Sequence, residues 1–169
     1  MIQFITILSV ALLTACDQII KYFVNLKLNP ALPTCNHPDG TFTLIPNVLR
    51  LSYCENDGAM MGMMKGKTTV MIIAALLILA VLCFVVFSKK LKPGFLYVCI
   101  VGITAGGLGN IIDRIFRGFV IDYIEVLFVD FYVFNFADCL VTCCAFLIMF
   151  YEIYELVKES REKKEKQNG

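Results

Sequence analysis

Residues 68–87 form an uninterrupted run of twenty residues without a single charge. No other feature constrains the chain as tightly. A bilayer core is crossed by roughly 20 apolar residues in helix, and this run has that length. Three further stretches approach it: residues 2–24, broken by Asp17, Gln18 and Lys21; residues 95–112, rich in glycine; and residues 136–157, with Asp138 near the start and Glu152 and Glu155 near the end. The composition agrees, with 59% hydrophobic residues and a mean hydropathy of +0.76. A soluble domain is about 45–50% apolar, and a small water-soluble core could not hide the excess. The 169 residues suffice for one domain. The expected fold is an all-α membrane protein of four transmembrane helices, with a small extracytoplasmic β element in the first outer loop.

Positive charge orients the spans. The link 88–94 holds Lys89, Lys90 and Lys92, and the tail holds Lys158, Arg161, Lys163, Lys164 and Lys166. Both are expected in the cytoplasm, which puts both termini inside and leaves loops 25–67 and 113–135 outside. The localisation that follows is multi-pass in a bacterial cytoplasmic (inner) membrane. Residues 1–158 read as the membrane domain, and 159–169 as a charged cytoplasmic tail without a catalytic role. In the first outer loop, 41–45 and 48–53 are β-like runs split by Pro46-Asn47 and predict a small antiparallel element lying on the membrane.

A net charge of +1 gives no sign of a nucleic-acid partner. The eight cysteines contain no CxxC pair, and the single histidine, His37, stands in a loop without ligand spacing. No metal and no cofactor are expected. Six cysteines lie in apolar runs, where the residue acts as a small hydrophobe. Cys35 and Cys54 share one polar loop and can pair if it faces an oxidising compartment. A monomer is expected.

In this topology the polar ends of three spans converge on the outer face. Asp17 and Lys21 end the first; Asn110, Asp113 and Arg114 end the third; Asn135 and Asp138 begin the fourth. Ionisable groups near hydrocarbon are costly, tend to be paired, and mark function. Asp17 and Lys21, at i and i+4, suit a structural ion pair. Asp113 beside Arg114 reads as an interfacial pair, and Asn110 and Arg114 share one helix face. Asp122 and Asp138 are single acids in greasy surroundings near the same interface. Two carboxyls sharing a site cannot both ionise cheaply, so the pair keeps a proton. One can then activate water while the other polarises a carbonyl. The alternative is that both merely cap helix starts or bind backbone amides, with Asp113 and Asp130 as competing acids.

These residues fall in motifs that resemble bacterial lipoprotein signal peptidase, or signal peptidase II. Asp17-Gln18-Ile19-Ile20-Lys21 resembles D-Q-x-x-K, and Asn56-Asp57-Gly58-Ala59 resembles N-x-G-A. Residues 106–114 are similar to G-G-x-x-G-N-x-x-D-R, 118–124 to G-x-V-[VI]-D-[FY]-I, and Phe134-Asn135-Phe136-Ala137-Asp138 to F-N-x-A-D. The five motifs stand in the family's order. The resemblance implies an aspartic endopeptidase that removes the signal peptide from diacylglyceryl-modified prolipoproteins, before the lipid-bearing cysteine. Asp122 and Asp138 would be its catalytic dyad. Asn56, Asn110, Arg114 and Asn135 would bind substrate or hold the dyad. Asp17 and Lys21 would be structural, and Asp113 would support Arg114. Its partners would be lipidated prolipoproteins and membrane lipid. Met60-Met61, Cys139 and a long 25–56 loop depart from the family pattern.

Two rival readings compete. Leu13-Thr14-Ala15-Cys16 reads like a lipobox, which would make the chain a lipoprotein precursor; Met1-Ile2-Gln3-Phe4 supplies no positive start for one, and three further spans do not suit it. A transporter would place charges through the midplane, whereas here the acids gather at one face.

Overall fold

The computed structural model describes residues 1–32, 39–58, 68–88 and 94–168. Four helices are long and apolar enough to cross a membrane: α1 (Ile2–Leu28), α2 (Thr68–Phe87), α3 (Phe95–Phe116) and α4 (Phe136–Asn168). Three strands, β1 (Thr41–Ile45), β2 (Leu49–Asn56) and β3 (Val120–Val126), form one antiparallel sheet in the order β1-β2-β3. The molecule is mostly helical. The β element is larger than expected, because its third strand comes from the 113–135 segment rather than from the first loop.

Helix α3 is the hub, packing against α1, α2 and α4. Three polar contacts tie α1 to it: Thr6 Oγ1 with Tyr97 OH at 2.5 Å, Thr14 Oγ1 to the Ala105 carbonyl at 3.2 Å, and Gln18 Nε2 to the Gly109 carbonyl at 3.1 Å. The offset in sequence is 91 each time, as only parallel helices in constant register can give. On the other side α3 meets α4 at close range. A Cβ on Gly102 would fall 2.6 Å from Cys144 Sγ, and one on Gly106 would collide with the Ala137 carbonyl. Small residues let backbones approach, which is how helices associate where lipid removes the hydrophobic drive.

Helices α1, α3 and α4 overrun their apolar spans while α2 matches its own, since apolar length measures lipid crossing while a helix continues until something stops it. Helix α1 runs to Leu28, before Asn29-Pro30. Helix α3 ends at Phe116, and just past it Gly118, with a φ of 85° and an N–H bond to the Arg114 carbonyl at 3.2 Å, makes a left-handed cap. That cap turns the chain into β3. Strands β1 and β2 meet in a turn with Pro46 second and Asn47 third, the latter at φ 58°. A bulge between Leu51 and Cys54 sets Cys54 opposite Asp122 and Asn56 opposite Val120. Beneath the sheet, Val24 and Leu28 of α1 bury themselves against Ile121 and Tyr123 of β3.

The return to α4 is pinned to β3. Phe134 exchanges backbone hydrogen bonds with Ile124 at 2.7 and 3.0 Å, and the Tyr123 hydroxyl accepts the Phe136 N–H at 3.2 Å. This fold-back sets the first turn of α4 beside Asp122.

Candidate active site

Asn135 caps α4. Its Oδ1 accepts the Asp138 N–H at 3.0 Å, and its own N–H donates to Asp138 Oδ2 at 3.2 Å. This is a capping box with aspartate at the third helical position. Half of the modest alternative therefore holds: Asp138 does serve a helix start. Asp122 does not, because it lies inside a strand, where alternation turns it away from Ile121 and Tyr123.

Neutral amides join the two carboxyls. The fully buried Asn135 donates Nδ2 to Asp122 Oδ1 at 2.6 Å and to Asn110 Oδ1 at 3.2 Å. Asn110 donates its own Nδ2 to Asp138 Oδ1 at 2.7 Å. Asn56, from β2, donates to the second oxygen of Asp122 at 2.8 Å. All four carboxyl oxygens thus accept N–H donors. Asp122 is 2% exposed. Burial, then the charge of Asp138, pushes its carboxyl up to about 6, against the pull of the Asn56 and Asn135 bonds and of Lys21. Across the sheet, burial and then Asp122 also push the Cys54 thiol up.

Arg114 bonds the Asn110 carbonyl through Nη1 and the Gly58 carbonyl through Nη2, each at 3.2 Å. Its Nε is buried with no partner among the described residues. A buried donor without an acceptor carries a desolvation cost of about 1–3 kcal/mol, so this atom is poised to take one.

A second cluster lies behind the first. Lys21 and Asp17 are both fully buried and 2.8 Å apart, as the i, i+4 spacing implies. Lys21 also reaches Asp113 Oδ2 at 2.8 Å and Asn110 Oδ1 at 2.9 Å. The support expected from Asp113 goes elsewhere. Its carboxylate faces Lys21, Arg117 and Gln18, and makes no hydrogen bond to Arg114. Side chains at i and i+1 point apart around a helix, and Arg117, at i+4, does not. Asp17 Oδ1 accepts the Ala137 N–H at 3.1 Å, which ties α1 to α4. Sequence reading missed Gln18 and Arg117. The i, i+4 spacing of Asp113 and Arg117 was the available signal.

Asp130 is exposed in the turn after β3, apart from either cluster. Among the described residues no group of three or more His, Cys, Asp or Glu is arranged to hold a metal ion. Cys35 and His37 lie outside the described residues. So do Ala59, Met60 and Met61, and with them the Cys35–Cys54 pairing. A cavity of about 660 Å³ opens between α1, α3 and α4 at the other end of the bundle. Its lining includes Thr6, Leu13, Tyr97 and Cys144 and contains neither Asp122 nor Asp138.

The signal peptidase (SPase) II family model matches residues 9–154. The chain belongs to the signal peptidase II family. It is 33% identical over 153 residues to the lipoprotein signal peptidases of Staphylococcus aureus strains JH9 and Newman, an alignment covering 89% of this chain and 86% of each relative. Two solved structures described as a bacterial membrane enzyme share its fold. One has a TM-score of 0.77 at 32% identity, covering 89% of this chain and 88% of that one. The other has 0.72 at 32%, covering 86% and 90%. The five signal peptidase II motifs of the sequence all fall at the sheet end of this bundle. Apart from Arg117, they supply the side chains of both clusters, the second giving Asn56 and the Gly58 carbonyl.

Proposed function

We propose that this signal peptidase II member removes the signal peptide from diacylglyceryl-modified prolipoproteins, using Asp122 and Asp138 as a catalytic dyad. The observation that carries the reading is the meeting of these two carboxyls, from a strand and a helix, across the buried amide of Asn135. Asp122, raised to about 6, keeps the shared proton. Asp138 is less buried and is assigned the part of the base. Asp138 takes a proton from water, and the resulting hydroxide attacks the scissile carbonyl. Asp122 gives its proton to the carbonyl oxygen. As the tetrahedral diol collapses, Asp122 takes a proton back from one of its hydroxyls, the peptide C–N bond breaks, and Asp138 gives its proton to the amine of the departing lipidated cysteine.

Arg114 is assigned to the substrate backbone, its unpartnered Nε offering a donor, and Asn56 is assigned both to the substrate and to holding Asp122. Asn110 and Asn135 hold the dyad, and Asp17, Lys21 and Asp113 lock the three helices together. The lysine-rich link and the tail are assigned to the cytoplasm. The dyad then lies near the outer face of the inner membrane. There a diacylated cysteine is anchored by about 0.8 kcal/mol per buried CH₂, and the bond to be cut waits at the depth of the dyad.

The test is cleavage of a diacylglyceryl-modified prolipoprotein in detergent, read by gel shift. Asp122→Asn and Asp138→Asn should each lower the rate by about 10³-fold or more while the protein stays folded. Asp130→Asn should cleave as wild type does. Retained cleavage in Asp122→Asn, or none by well-folded wild type, would sink the reading.

A further inference from the structure

We infer that Lys21 is a positioning residue for the dyad: its ammonium fixes which way the Asn110 and Asn135 amides face, so that both carboxyls receive N–H donors. The inference deepens the dyad reading and rests on it.

A side-chain amide can present either its oxygen or its NH₂, and nothing in the asparagine itself chooses. An ammonium can only donate. Lys21 Nζ lies 2.9 Å from the Asn110 amide, so the atom facing it must be the oxygen. The NH₂ of Asn110 is then turned to Asp138, 2.7 Å away. The same Asn110 oxygen lies 3.2 Å from Asn135, which must answer with its NH₂. That NH₂ also serves Asp122 at 2.6 Å, and the Asn135 oxygen is left for the Asp138 N–H. One donor-only group thus sets the sense of a chain of ambivalent ones. Lys21 cannot turn away, because Asp17 and Asp113 hold it at 2.8 Å on two other sides and it is fully buried. Were the Asn110 amide reversed, its oxygen would face Asp138 and require a proton there. The proton would then sit on the wrong partner for water activation.

Other titratable and charged groups stand around the same pair and bound the prediction. Asp17 lies behind Lys21 on α1, and Arg114 and Asp113 approach from α3, with Arg117 one turn on. From the sheet come Cys54 and Glu125, the latter paired with Arg50. Cys139 follows Asp138 on α4. Arg117 is the useful control. It belongs to the ion cluster through Asp113 and Gln18, and touches no member of the amide chain.

The experiment measures kcat and KM for a lipidated peptide from pH 4 to 8 in four proteins: wild type, Lys21→Arg, Asp17→Asn/Lys21→Gln and Arg117→Met. The double variant removes one anion with the cation, so the remaining Asp113 and Arg117 stay balanced. We expect it to fold, to lose kcat by about tenfold or more with KM within about twofold, and to move the acid limb of the profile up by about one pH unit. Lys21→Arg, still donor-only, should return the limb toward wild type. Arg117→Met should melt earlier with its limb unmoved. A wild-type limb in the double variant overturns the inference, as does an equal shift in Arg117→Met. Failure of the charge-balanced variant to fold also overturns it, in favour of a purely structural lysine. Active Asp122→Asn would instead overturn the dyad itself, whatever Lys21 does.

Discussion

Two pairs of aspartates sit back to back in this bundle, and they are held in opposite ways. Asp17 and Asp113 are fully buried against cations, sharing Lys21, with Arg117 added to Asp113. Asp122 and Asp138 are held by the amides of Asn56, Asn110 and Asn135 and a backbone N–H. A cation at contact distance makes a carboxylate a fastener. An amide satisfies its oxygens without neutralising it, so a proton stays in play between two nearby acids. Asn110 belongs to both sets, accepting from Lys21 and donating to Asp138.

The contrast breaks most sharply under substitution. In the amide-held pair, Asp138→Asn should cost about 10³-fold in rate and little stability. In the cation-held pair, Lys21→Met should cost about 3–5 kcal/mol of unfolding free energy, because it strands two buried anions. Denaturant titration in mild detergent reads the second effect, and a loss below about 1 kcal/mol would mean that the cluster is not the fastener described here.

The pH dependence of stability sharpens the comparison further. The Asp122 carboxyl is raised from 3.8 to about 6, so in that window the folded state holds a proton the unfolded chain has released. Stability should therefore be greatest below about pH 4 and fall as pH rises toward 6, by up to about 3 kcal/mol. Asp122→Asn should flatten that slope. A slope unchanged in the variant would place the proton elsewhere in the pair, to which the titration jointly belongs.

The smallest effect concerns the packing that brings the pairs together. Gly106→Ala would drive a methyl into the Ala137 carbonyl and should cost about 1–3 kcal/mol. Gly107→Ala meets nothing within 4 Å and should be neutral or gain up to about 1 kcal/mol of helix propensity. Equal thermal shifts in the two variants would mean that the α3–α4 approach is not limiting.

Much of this was legible in the residues. Twenty uncharged residues in a row specify a helix in lipid, and i, i+4 spacing is enough to pair Asp17 with Lys21. The motifs name Asp122 and Asp138 by resemblance alone. The third strand was not legible. Residues 119–124 read as an apolar stretch around Asp122, and only a partner strand makes such a stretch a strand. That partner is β2, where Asn56 meets Asp122 across 66 residues of chain. Nor could the sequence turn Asp113 from Arg114 toward Lys21 and Arg117, since neighbours in sequence point apart on a helix.

What the sequence determined by itself is therefore local: the four apolar spans, the hairpin turn at Pro46-Asn47, and the list of polar residues that lipid would tolerate only if paired. Those follow from hydrophobic length and backbone sterics within a turn or two. Which polar residues pair, and which two carboxyls meet around Asn135, were decided by the tertiary structure alone. Hydrogen-bond sense and charge coupling depend on distances of about 3 Å, and only the packing of α1, β2, β3 and α4 around α3 brings those atoms that close.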